Sequence, residues 1–290
     1  MNPFPNLDQA AEFIWRTARL IDRQRFAYHF QEGSAAAVLA ALRPYQNEDG
    51  GFGNALEPDI RAPLSQPQPV EVALRLLDEI EALADPMVRT ACDYLMTITT
   101  PDGGVPFVLP SVRAYPRAPW WQTEDNPPAA LNPTAAIAGF LHKGQVDHPW
   151  LDRATDFCWR QLDSLETTNA YEVRAILPFL EYAPDRGRAE AVFARVGPKI
   201  FEQQLVELDP AGHGEGHSPL NFAPRPDSLA RRLFSDDIID RHLNALAAAQ
   251  QPDGGWTFNW TDWNSATGLE WRGWITVEAL LTLRAYGRLP

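Results

Sequence analysis

The sequence is poor in cysteine, with two in 290 residues, and it has neither a basic run nor a long apolar run. Cys92 and Cys158 each stand among apolar neighbours in a helical pattern. They read as buried thiols rather than as a disulfide or a catalytic pair. No apolar stretch approaches the roughly 18 residues that a membrane-crossing helix needs, and Met1 to Ala10 lacks the basic-then-apolar order of a secretory leader. The expectation is a soluble, cytoplasmic protein without a transmembrane segment. With 25 Lys and Arg against 38 Asp and Glu, the formal net charge is −13, which argues against a phosphate backbone and so against nucleic acid as a partner. Alternating Val, Ile and Thr runs bounded by turn signals are missing too, so strands should be few.

What is present is apolar material for a core, 45% hydrophobic residues with 22% charged, as in globular chains. There are also 26 prolines and 10 tryptophans, the prolines gathered at 58–69, 101–133 and 210–226. Those stretches read as rigid loops.

One turn recurs three times, as Asp49-Gly50-Gly51, Asp102-Gly103-Gly104 and Asp253-Gly254-Gly255. Val38 to Leu42, Cys92 to Met96 and His242 to Leu246 precede the three copies in matching places. The interval from 102 to 253 is about three times that from 49 to 102, so a period of about 50 residues predicts stacked helical units with degenerate copies between. Residues 150–164 and 188–207 carry amphipathic patterns that fill the gap. Between these helices lie others that are apolar nearly all round, around Ile137, Ile176 and Ile275, as expected of elements buried on both sides. Inner helices are expected near 8–30, 69–83, 133–143, 169–182, 226–234 and 271–286, and outer ones near 34–45, 87–98, 150–164, 188–207 and 236–250. The fold class expected is all-α, one domain over 1–290. It should form a closed α/α toroid, a double ring of about five to six helix pairs, because the strongly apolar last helix does not suit the open end of a solenoid.

The string Gln251-Pro252-Asp253-Gly254-Gly255-Trp256 resembles the QW motif of squalene-hopene and oxidosqualene cyclases and, more loosely, of protein prenyltransferase β subunits. Gln46 to Phe52 is a weaker copy, and Asp102 to Val105 a third without the Gln or the aromatic residue. The resemblance implies the toroidal fold, with the turns in a structural role: glycines at positive φ, Asp bonded to local backbone, Gln and aromatic tied to a neighbouring helix.

The chemistry of those families needs residues that this chain lacks. There is no Asp-X-Asp-Asp acid; Ser235-Asp236-Asp237 opens a helix and reads as an N-cap with dipole-favoured charges. Neither cysteine lies in an Asp-X-Cys arrangement for a prenyltransferase zinc, and no cofactor is expected. His213-Gly214-Glu215-Gly216-His217 is the most metal-like cluster, but its glycines oppose the helix that would place both imidazoles on one face. It reads as a solvated or site-lining loop, so no metal is expected and His213, Glu215 and His217 stand only as the weak candidates.

Site residues are expected on the long loops. Phe52 to Pro69 holds Glu57, Asp59 and Arg61; Val105 to Pro133 holds Trp120, Trp121, Glu124 and Asp125; Thr257 to Gly273 holds Trp260, Asp262, Trp263 and Trp271. Tryptophans interleaved with carboxylates suit two chemistries: stabilising carbocations in an isoprenoid cavity, or stacking on sugars between acid and base. The first leads. It makes Asp59, with Glu57, the acid of a cyclase-like or isomerase-like enzyme on an apolar small molecule, and the other loop residues its substrate-binding set. A carbohydrate-active hydrolase or lyase, or a non-catalytic toroid that binds a ligand or partner, are the alternatives.

Overall fold

The computed structural model describes residues 4–212 and 215–289. The protein is all-α: among the described residues there is no strand, only isolated bridges between loops. Two compact units partition the chain. The first joins Met1–Ala41 to Ile200–Pro290, and the second is Leu42–Lys199.

The second unit holds α4 (Pro67–Glu79), α5 (Pro86–Ile98), α6 (Leu131–Lys143), α7 (Pro149–Asp163), α8 (Ala170–Tyr182) and α9 (Arg186–Val196). Helices α4, α6 and α8 pack in a row, with α5, α7 and α9 laid against them. The division follows sequence: α6 buries an unbroken run from Pro133 to Leu141, whereas α7 buries a stripe through Leu151, Ala154, Phe157, Cys158 and Leu162. Asp85, His148, Asn169 and Asp185 cap α5, α7, α8 and α9 with their side chains, taking up amides that the first turn leaves open.

The first unit holds α1 (Leu7–Thr17), α2 (Leu20–Phe30), α3 (Ala35–Leu42) up to Ala41, α11 (Pro219–Phe222), α12 (Asp236–Ala248) and α13 (Ser265–Ala285); the short α10 (Lys199–Glu202) enters its second segment at Ile200. Helix α13 packs on α1, α2 and α12. Ser235 caps α12 through the amide of Ile238, with Asp236 and Asp237 in the first turn.

Several boundaries differ from those the periodicity predicts. Residues 8–30 form two helices, because Ala18 and Arg19 are extended, with the Ala18 carbonyl taken by Arg23 Nε at 2.8 Å. The span 188–207 ends its main helix at Val196 before Gly197, and 226–234 is a short 3-10 turn, Leu229–Leu233. The last helix starts at Ser265, capped by Asn264, so Trp271 is helical rather than in a loop.

The three Asp-Gly-Gly turns share one geometry. Gly50, Gly103 and Gly254 have φ of 86°, 95° and 93°, a region in which only glycine is unstrained. Each lies on a carbonyl in the opening turns of a helix: Thr90 of α5, Arg153 of α7 and Gln9 of α1. The next glycine lies against the ring four residues further on, Tyr94, Phe157 or Phe13. Gln46 Nε2 donates to the carbonyls of Gly50 and Met87, and Gln250 Nε2 to those of Gly254 and Asn6. The tying glutamine of the third copy is therefore Gln250; Gln251, which carries the motif likeness, stands where Asn47 does and bonds the turn through its backbone. In the second copy Thr99 replaces the glutamine and accepts from Trp150 Nε1 at 2.9 Å.

Candidate functional site

In the second unit, two proline-rich loops form one layer. Residues 53–66 are anchored by Leu56, Ile60 and Ala62, all fully buried, and Gln66 closes the loop with its amide on the Phe52 carbonyl. Residues 105–130 cross them: Arg61 N donates to Pro116 O at 3.1 Å, and Ala118 N to Asp59 O at 3.0 Å. This pairing carries Glu57 and Asp59 below the surface, 5% and 2% exposed. Arg61 is half-buried and donates to the Pro58 carbonyl at 3.1 Å.

The second loop is held by arginines that spend their donors on backbone. Arg113 donates to Thr123 O and pairs with Asp125, and Arg117 Nε donates to Trp121 O at 3.0 Å. Trp120 is 43% exposed, whereas Trp121 is buried and stacks on Phe107, with centroids 4.9 Å apart and planes at 27°. Beside this pair opens a cavity of about 440 Å³, lined by Phe107, Val108, Gln122, Thr123, Glu124 and a wall of Pro127, Pro128 and Ala130. Of the residues expected at a site, Glu124 is the one that lines it. Glu57, Asp59 and Arg61 belong to the same loop layer without lining that cavity.

The first unit gathers the other tryptophans. Phe258 and Trp260 stack at 4.6 Å, and Trp260 meets Trp271 edge to face at 5.3 Å. Asp262 accepts from the amide of Asn264, the cap of α13, at 3.2 Å. Its near oxygen is used by the chain turn into that helix. Trp263 is half-buried nearby in sequence. Of the metal candidates, His213 lies outside the described residues, Glu215 is exposed, and the His217 ring lies 6.0 Å from Phe222. Among the described residues no His, Cys, Asp and Glu side chains gather for a metal.

Two polar clusters went unnoticed in the sequence. In the first unit Asp22 and Arg25, both fully buried, pair at 3.5 Å; Arg25 reaches Glu278 at 2.5 Å and lies 4.1 Å from the centre of the Trp274 ring. The spacing of Asp22 and Arg25 on one face of α2 was a local signal. Glu278, far along the chain, gave none. In the second unit Gln68, Glu71 and Arg75 form a polar strip on α4, Gln68 bonded to Asn132 at 3.1 Å and Glu71 to Arg75 at 2.5 Å. The i, i+3, i+7 spacing in an apolar helix was the sign available there.

Neither cysteine serves a site. Both are buried, and loss of hydration pushes the Cys92 thiol up to about 12, with the Asp93 charge adding to it. Among the described residues no helix is long and apolar enough to cross a membrane.

No protein-family profile matches the chain, and no curated protein matches it either. Its fold is similar to the crystal structure of a protein from Actinoplanes, with a TM-score of 0.58 over 92% of this chain and 89% of that one. At 19% identity that likeness is one of fold alone.

Proposed function

We propose that this chain is a cytoplasmic isoprenoid-handling enzyme of the cyclase or isomerase kind. Asp59, assisted by Glu57, passes a carboxyl proton to an alkene carbon. The resulting cation rearranges and returns a proton to the carboxylate, so that no cofactor is consumed. The observation that carries the reading is the pair of carboxyl groups at 2% and 5% exposure, fixed by two proline-rich loops. A site closed to water protects a cation that water would quench. The family likeness of the Asp-Gly-Gly turns supports it, and the same loop layer holds an apolar-walled cavity of suitable size for an isoprenoid, which Glu124 lines and Asp59 does not. The acidic balance of the chain fits a small-molecule substrate better than nucleic acid.

The test is incubation with squalene, farnesol and geranylgeraniol, with products separated by gas chromatography and mass spectrometry. Asp59→Asn should lower turnover by about 10²-fold or more, the usual scale for a positioned acid. The reading fails if no member of the panel is consumed, or if Asp59→Asn and Glu57→Gln both leave turnover unchanged.

One observation favours the carbohydrate reading: the strip Gln68, Glu71 and Arg75 puts hydrogen-bonding groups along an otherwise apolar helix. Release of reducing ends from a polysaccharide panel, abolished by Glu71→Gln, would support that reading in place of the first.

A further inference from the structure

Trp121 has a buried indole N–H with no acceptor among the described residues. Buried donors are nearly always paired, and one left without an acceptor is costly, so such a group calls for a physical reason. The side chain is 7% exposed and its position is over-determined. The Trp121 amide donates to Ala118 O at 3.1 Å, its carbonyl accepts from Arg117 Nε at 3.0 Å, and its ring stacks on Phe107. Freedom to turn toward another acceptor is therefore small.

The polar side chains next along the loop donate to backbone and carboxylate oxygens. Thr123 Oγ1 donates to Val108 O at 3.0 Å, Gln122 Nε2 to Pro119 O at 2.7 Å, and both nitrogens at the end of Arg113 to Thr123 O and Asp125. Phe107, whose ring stacks on Trp121, is half-buried and lines the cavity of about 440 Å³. The Trp121 side chain and an apolar-walled space of small-molecule size thus share Phe107 as a neighbour.

We propose that this cavity takes an apolar ligand bearing a single oxygen acceptor, an alcohol, ether or carbonyl, and that Trp121 Nε1–H is its specificity-determining donor. A change of the Phe107 rotamer lets the ligand oxygen reach the indole, and the hydrocarbon lies along Val108, Pro127 and Pro128. The inference rests on the isoprenoid reading and narrows it to the oxygenated members of that class. It does not depend on Asp59.

The experiment compares farnesol with farnesene, a C15 skeleton of the same kind without the oxygen, as calorimetric titrations of the full chain and of Trp121→Phe. The wild type should bind farnesol about fivefold or more tightly than farnesene, the scale of one hydrogen bond. Trp121→Phe keeps the stacking ring and should bring the two affinities within about twofold by losing farnesol affinity alone. In parallel, ¹H–¹⁵N spectra of the wild type should show the Trp121 indole N–H resonance moving downfield with farnesol and not with farnesene. That measurement stands even if the variant fails to fold. Equal binding of the two probes by the wild type, or an indole resonance unmoved by bound farnesol, overturns the inference and leaves the isoprenoid reading standing. Absence of binding by either probe overturns both.

Discussion

The side chain of Gln250 holds both backbone polar groups of Asn6: Oε1 accepts from its amide at 2.7 Å and Nε2 donates to its carbonyl at 2.8 Å. Because the same Nε2 also donates to Gly254 O at 2.9 Å, one amide group joins the end of α12, the third turn and the start of α1.

Replacing Gln250 by Ala removes three hydrogen bonds and should cost about 1–3 kcal/mol, at roughly 0.5–1.5 kcal/mol each before solvent replaces part of the loss. Gln251→Ala keeps every backbone bond of the turn and should cost less than about 0.5 kcal/mol. Urea denaturation of the two variants checks the register directly; equal losses would mean that the turn is tied otherwise.

Gly254→Ala should be among the most damaging small changes. A methyl group there stands 2.1 Å from the Gln9 carbonyl oxygen, and the backbone is at positive φ. The left-handed conformation alone costs about 1–2 kcal/mol, and the clash adds to it by forcing the turn away from α1. Gly287 supplies the control, since it too has positive φ, 68°, but has open space where a methyl would sit. Gly287→Ala should show only the conformational part. Thermal melts of the two variants separate strain from contact.

His142 and His242 give stability a dependence on mild acid. Burial lowers both below the ordinary 6.5; Asp152 offsets this in part at His142, and the Leu208 carbonyl, Glu207 and Asp209 do so at His242, where Arg241 adds to the lowering. A histidine lowered in the folded state binds its proton less readily there than in the unfolded chain. Its destabilising effect is absent well above 6.5, sets in as pH falls past that value and stops growing below the folded value. Urea midpoints for the wild type should therefore drop between about pH 7.5 and 5, the range in which histidine titrates. His142→Gln and His242→Gln should each flatten the curve. An unchanged slope in both variants would assign the acid sensitivity to carboxylates.

Both thiols should be inert in the native protein. Cys92 and Cys158 are fully buried and pushed up by loss of hydration, so a thiol-disulfide reagent at mildly alkaline pH should titrate neither, and both in concentrated guanidinium chloride. Native reactivity at either position would mean that α5 or α7 opens locally.

The helices were legible wherever an apolar period ran between clear caps, as in α5, α7 and α12. They were misplaced where the chain breaks locally without Gly or Pro, as at the extended Ala18 and Arg19, whose break Arg23 holds by taking the Ala18 carbonyl. Loop residues were harder to read. Asp125 pairs with Arg113, twelve residues back along the chain, and Asp262 accepts from the amide of Asn264, two residues on. The second contact is a local turn of the kind Asp favours two residues before an amide, whereas the first depends on how the loop folds back.

What the sequence by itself determined was local: the all-α class, the caps, the buried thiols and the three glycine turns, each set by residues within a few positions of one another. Tertiary structure decided the rest. It chose Gln250 over Gln251, joined Arg25 to Glu278, carried Asp59 out of water and left Trp121 N–H without an acceptor among the described residues. Those outcomes depend on which groups meet after the chain has folded back on itself, and hydrophobic period and turn chemistry carry no record of such meetings.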